Sequence, residues 1–61
     1  MQVRGVVLKE GRGKWLAKIY PKGKDHSIAK FEGKTQKVVI QSGNDFVDEN
    51  GYQLKSAWER L

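Results

Sequence analysis

Regularly spaced glycines are the feature that most constrains how this chain can fold. From Gly13 onward they recur at intervals of about ten residues, the length of one short strand plus one turn. Between them, apolar and polar residues mostly alternate instead of repeating with a helical period. The pattern predicts several short strands joined by tight turns. The seven glycines are Gly5, Gly11, Gly13, Gly23, Gly33, Gly43 and Gly51.

Four segments of the chain are predicted to be strands. Residues 14–20 and 26–31 alternate between apolar and polar side chains, as half-buried strands do. Residues 35–41 are rich in β-branched side chains, which favour strands. Residues 3–8 are apolar on both faces around Gly5. That composition suits a strand buried on both sides, or one bent at the glycine as barrel strands often are.

The segment from residue 46 to residue 55 allows two interpretations. Asn50-Gly51 is a strong hairpin signal, and a two-residue turn there would place Val47 opposite Leu54. The competing interpretation is a helix over residues 52–61, with its apolar side chains on one face. The opposed apolar pair favours a short hairpin followed by a helical turn, and the longer helix stays open as the alternative.

Two architectures fit these elements, and both place residues 1–61 in a single small domain. The first is mainly β, a small bent antiparallel sheet or an SH3-like or OB-like barrel of four to six short strands with a short C-terminal helix. The second is α+β, a three- or four-stranded antiparallel sheet packed on a C-terminal helix. The absence of Cys leaves packing alone to stabilise either fold. Both are expected to bury Trp15, Ile19, Phe31, Val38, Ile40, Trp58 and Leu61.

Charge is unevenly distributed along the chain. Residues 1–40 contain ten Lys and Arg against three acidic residues, a net charge of +7, whereas residues 41–61 have a net charge of −2. Such asymmetry predicts a part of the surface that faces a polyanion. No apolar stretch is long enough to span a membrane, and none follows a charged N-terminus as in a secretory signal. We therefore expect a basic protein in the cytoplasm, with no membrane partner.

The second face of the predicted sheet combines cations with Tyr20 and aliphatic residues, and none of its positions is acidic. Cations contact phosphates, and rings or aliphatic side chains can stack on bases or enter a groove. This predicts nucleic-acid binding, to DNA rather than RNA. The alternative is a protein-interaction module that docks an acidic partner through the same patch or a strand edge, and a homodimer through an open edge is possible. The candidate binding residues are Arg12, Lys14, Lys18, Tyr20, Lys22, Lys24, His26, Lys30, Lys34 and Lys37.

Catalytic and metal sites are not predicted, so the chain is expected not to be an enzyme and to need no cofactor. His26 is the only histidine and has no Cys to complete a metal site. Asp25-His26-Ser27 contains the residue types of a hydrolase triad, but neighbours on a strand point in opposite directions. Residues 11–14 lack the spacing and the Ser or Thr of a nucleotide-binding loop.

The order of basic strands followed by a possible terminal helix resembles the arm-site DNA-binding domains of tyrosine integrases. The short, glycine-punctuated strands resemble SH3-like and OB-like nucleic-acid modules. Both resemblances imply nucleic-acid binding. They concern the order of the elements alone, so no site residue is taken from either family.

Overall fold

The computed structural model describes residues 1–61 and shows one sheet with one helix packed on it. The helix is neither long nor apolar enough to cross a membrane. The elements in chain order are β1 (Gln2–Gly11), β2 (Lys14–Pro21), β3 (Ala29–Gly33), α1 (Gln36–Glu49), β4 (Gln53–Leu54) and β5 (Glu59–Arg60).

The sheet is open and mixed, with the strand order β3-β2-β1-β4. β1, β2 and β3 form an antiparallel meander. β4 and β5 pair in parallel with successive parts of the other edge of β1, where Val3 lies opposite Leu54 and Val6 lies opposite Glu59. β3 and β4 both run parallel to β1, so the chain must return along the sheet between them. α1 makes this return.

The core lies between α1 and one face of the sheet, called the inner face. Val3 and Val7 of β1 and Ile19 of β2 are completely or almost completely buried there. α1 contributes Val39 and Val47, which are eight residues apart and so share one side of the helix. The predicted inner face of β2 and β3 is confirmed, because Ala17, Ala29, Phe31 and Trp15 also pack against these residues.

Trp58 closes the core between β1 and α1. A Cβ placed on Gly5 would lie 2.6 Å from Trp58 Cε3, and one on Gly43 would also overlap the indole ring. The ring therefore lies directly against the backbone of both elements, which only glycine allows. Its Nε1 donates a hydrogen bond to Asn44 Oδ1. The segment after α1 is thus fixed to the core although its two strands are only two residues long.

The mainly β fold class is confirmed, but the barrel is not formed, and the sheet is mixed instead of antiparallel throughout because β4 and β5 run parallel to β1. The predicted strand at residues 35–41 is wrong, because this segment is the N-cap and the first part of α1. Thr35 Oγ1 accepts a hydrogen bond from Val38 N, as an N-cap does. The helix buries Val39, Gly43 and Val47 against the sheet. This burial outweighs the modest preference of β-branched residues for strands.

The predicted hairpin at Asn50-Gly51 is also wrong. Val47 belongs to α1 and Leu54 to β4, so the two residues do not pair across a turn. Gly51 instead ends the helix with φ of 68°. Tyr52 N donates to Val47 O, which completes the usual glycine-terminated helix end. A hairpin turn and this helix end both need a residue with a positive φ at position 51, so Asn50-Gly51 is compatible with either.

The remaining errors concern the C-terminus and two apolar residues. The alternative helix over residues 52–61 is absent, and so is the predicted helical turn; a bend joins β4 to β5. Leu61 is 81% exposed and Val38 is 51% exposed, so neither belongs to the core as predicted. Leu61 follows the last short strand, and Val38 lies beside β3 at the margin of the helix interface.

Candidate nucleic-acid interface

The face of the sheet turned away from α1, called the outer face, collects all four of the predicted binding residues that lie on strands. Directly opposed residues of neighbouring strands point to the same side of a sheet. The register pairs Arg4 with Tyr20, Val6 with Lys18, and Lys18 with Lys30. The outer face comprises Arg4, Val6, Leu8, Lys14, Leu16, Lys18, Tyr20, Lys30 and Glu32.

Two aliphatic side chains form the floor of the outer face. Val6 is 4% exposed and Leu16 is 5% exposed. The only helix packs on the opposite side of the sheet, so neighbouring side chains on the same face must cover them. Lys18 lies directly opposite Val6, and lysine stems cover apolar surface while their ammonium groups stay in water. The cations of this face therefore stand beside an apolar floor.

Lys18 and Lys30 are the central cations of this face. They lie directly opposite each other on β2 and β3, and neither has an ion-pair partner. Like charges at directly opposed positions destabilise a sheet. An arrangement that lowers the stability of the free protein is expected where an anionic ligand compensates for it.

Arg4 is a residue of this face that sequence reasoning missed. Its Cζ lies 4.5 Å from the centroid of the Tyr20 ring, and its Nη1 lies 3.7 Å from Glu59 Oε2. The cation–π contact and the carboxylate hold the guanidinium between Tyr20 of β2 and Glu59 of β5. A plain two-residue turn at Arg12-Gly13 would pair Arg4 with Pro21, and only the register shift between Lys9 and Gly11 places Arg4 opposite Tyr20.

The outer face also contains negative charge that the sequence prediction did not include. Lys14 Nζ lies 3.6 Å from Glu32 Oε2, and Glu59 lies beside Arg4 as described above. Each of these two carboxylates is exposed and is paired with one cation of the face. Lys18 and Lys30 have no ion-pair partner, so two unneutralised positive charges lie on neighbouring positions of β2 and β3.

Six of the predicted binding residues lie outside the strands of the outer face. Lys37 lies on α1, on the other side of the sheet, because the predicted fourth strand is a helix. The structure therefore does not bring Lys37 together with Lys14, Lys18 and Lys30. The other five are exposed and lie in connections: Arg12 between β1 and β2, Lys22, Lys24 and His26 between β2 and β3, and Lys34 between β3 and α1.

His26 Nε2 lies 3.5 Å from Asp25 Oδ1 in an exposed connection. No three His, Cys, Asp or Glu residues lie close enough together to hold a metal ion. The cavity, of about 290 Å³, lies on the helix side of the molecule rather than on the outer face. It is lined by Gln36, Lys37, Ile40, Gln41 and Arg60.

No protein-family model, no curated protein and no solved structure matches this chain.

Proposed function

We propose that this chain is a non-enzymatic, cytoplasmic nucleic-acid-binding protein that contacts phosphates with the outer face of its sheet. The observation that carries the proposal is that Lys18 and Lys30 lie directly opposite each other and neither has an ion-pair partner. Arg4 and Lys14 flank them on the same face. Phosphate oxygens supply the negative charge that this pair lacks. The partly exposed Leu8 and Tyr20 of the same face offer apolar surface to sugar or base edges.

Duplex DNA is the preferred ligand in this proposal. The major groove is about 12 Å wide and admits a two-stranded β-ribbon. The hairpin of β1 and β2 presents Arg4 and Lys18 on one side, away from the helix. Phosphate contacts would set the position of the hairpin, and Tyr20 with Arg4 would contact the groove. Lysine is a weak reader of base identity compared with arginine, so binding is expected to depend little on sequence.

The connections at the two ends of β2 extend the contact along the nucleic acid. Arg12 lies at one end of the strand, and Lys22 and Lys24 lie at the other. Eight residues in a strand span about 23 Å. Cations at both ends therefore reach phosphates about two-thirds of a helical turn apart on a duplex whose repeat is about 34 Å.

A salt titration tests the proposal. A fluorescein-labelled duplex of about 20 base pairs is titrated with the protein at several NaCl concentrations, and anisotropy gives Kd. Neutralisation of four to six phosphates predicts a slope of about −4 to −5 for log K against log salt. The same titration with single-stranded DNA and duplex RNA of equal length tests the preference for duplex DNA. No binding at low salt, or binding that ignores salt, would remove the electrostatic basis of the proposal.

An acidic protein partner is the alternative that the same experiments separate. Purification after nuclease treatment leaves a protein complex intact but strips a nucleic acid. A complex that survives nuclease, combined with no measurable affinity for any of the three labelled nucleic acids, would replace the nucleic-acid proposal by the protein one.

A further inference from the structure

The outer edge of β3 is an open edge of the sheet. β3 is the last strand of the sheet and pairs with β2 alone. No backbone hydrogen bond outside the regular elements involves residues 29–33. The backbone groups on the far side of β3 are therefore unpaired within the chain. Such an edge is a template for another strand.

The sequence of β3 is complementary to itself in the antiparallel direction. Lys30 and Glu32 both lie on the outer face and flank Phe31. If Phe31 lies opposite Phe31 of a second copy, Lys30 lies opposite Glu32 of that copy, and the same pair forms a second time by symmetry. All five residues of the strand are paired in this register. Opposite charges at directly opposed positions stabilise a pair of strands.

The neighbouring registers are disfavoured by the same charges. A shift of two residues keeps each side chain on its own face, because the period of a strand is two. One such shift places Lys30 opposite Lys30, and the other places Glu32 opposite Glu32. Each also leaves only three of the five residues paired. The charges on β3 thus select the register centred on Phe31.

Exposed apolar residues border the same edge. Ile28 immediately precedes β3 and is 43% exposed. Val38 is half exposed and lies beside Gly33, where a Cβ would be 3.0 Å from Val38 Cγ1. A two-fold axis at Phe31 brings the Gly33 end of one copy to the Ala29 end of the other. Ile28 and Val38 of both copies then lie next to the new strand pair, where part of their apolar surface leaves water.

We propose that two copies of this chain associate through antiparallel pairing of their β3 strands, centred on Phe31, to form one continuous sheet. Both outer faces then lie on the same side of this sheet, and both helices lie on the other. The dimer itself does not depend on the proposed function. Its consequence, a continuous outer face of twice the length on which Arg4, Lys14 and Lys18 each occur twice, deepens that function and rests on it.

Charge reversal tests the pairing with the full chain and without nucleic acid. Analytical ultracentrifugation at low salt measures the dimer Kd of the native protein, Lys30→Glu, Glu32→Lys, and the double variant. Each single reversal opposes like charges twice and is expected to raise Kd by about tenfold. The double variant restores opposite charges and is expected to regain the native Kd. Lys55→Glu is the matched control, since it reverses an exposed charge next to β4, at the opposite edge of the sheet, and should leave Kd unchanged.

A mixture of the two single variants is the most stringent test of the β3 pairing. Lys30→Glu carries two Glu on β3 and Glu32→Lys carries two Lys, so each is expected to associate with itself more weakly than with the other variant, and a heterodimer should form on mixing. Amide shifts in a dilution series of the native protein should be confined to residues 28–33 and the first half of α1, which checks the interface without any substitution. Circular dichroism confirms that each variant is folded.

Three results would overturn the dimer. They are a monomer at millimolar native protein, a dimer whose Kd ignores both single reversals, and single variants that do not associate when mixed. None of them bears on the affinity of the monomer for DNA, which is measured separately at protein concentrations below the dimer Kd. Failure of the dimer and failure of the proposed function are therefore distinguishable.

Discussion

Trp58 Nε1 donates a hydrogen bond of 3.0 Å to Asn44 Oδ1, and this contact joins the last segment of the chain to the helix. The indole ring lies between Gly5 of β1 and Gly43 of α1. β5 contains two residues and pairs only with β1. Its position therefore depends on the ring that precedes it, and so does the position of Glu59 beside Arg4 on the outer face.

Gly43→Ala is expected to destabilise the protein although alanine is the better helix former. The added Cβ would overlap the Trp58 ring, and relieving that overlap costs about 1–3 kcal/mol, more than the roughly 1 kcal/mol that alanine contributes to a helix. Urea unfolding followed by circular dichroism measures the change. Gly11→Ala is the control, because nothing lies within 4 Å of its Cβ position. A Gly43→Ala variant as stable as the native protein would contradict the close contact.

Asn44→Ala is expected to cost about 1 kcal/mol, because the partly buried indole N–H loses its acceptor. In a Trp58→Phe background no N–H remains, so the same substitution should cost much less. Urea unfolding of the two single variants and the double variant gives the coupling free energy. Additive effects would show that the hydrogen bond contributes nothing to stability.

Lys18→Gln/Lys30→Gln is expected to weaken DNA binding and to reduce the salt slope by about two, because two phosphate contacts are lost. Lys9→Gln/Lys37→Gln removes the same charge from the helix side of the molecule. Lys9 lies opposite Trp15 on the inner face, and Lys37 lies on α1. Anisotropy titrations of both variants at the same salt concentrations make the comparison. Equal losses would mean that net charge alone, and not the outer face, determines affinity.

Lys30→Thr is expected to raise the free energy of unfolding by about 0.5 kcal/mol while it weakens DNA binding. The substitution removes the like-charge pair with Lys18 and places a strand-favouring residue on β3. Thermal unfolding in dilute solution without DNA, together with anisotropy titration, measures both effects. A variant that is both less stable and equally tight in binding would show that the lysine pair is structural.

The alternating segments were predictable because the information that determines them is local. Trp15 and Ile19 alternate with Lys18 and Tyr20, so the inner and outer faces of β2 could be assigned from the chain alone. The opposed lysines depend in addition on the register of β2 and β3. That register follows the connection at residues 22–28, whose length and bends no local pattern specifies.

The segment from residue 35 to residue 61 could not be predicted from local pattern. Val38, Val39 and Ile40 favour a strand by propensity, and Gly43 looks like a break between elements. Both indications are wrong, because all four residues lie in α1. Gly43 is buried inside this helix, where the absence of a side chain makes room for the Trp58 ring. Gly43 and Trp58 are fifteen positions apart, so a pattern read over about ten neighbouring residues does not reveal their contact.

The amino-acid sequence by itself determined a small, Cys-free, mainly β domain and the two-faced character of its central strands, because side chains that alternate along a strand separate apolar from charged residues without reference to the rest of the molecule. Only the tertiary structure decided that the segment after β3 is a helix, that Lys37 lies away from Lys18 and Lys30, and that Arg4 lies over Tyr20. These outcomes follow from burial against distant residues. The free energy of that burial exceeds the small local preferences that a sequence pattern can express.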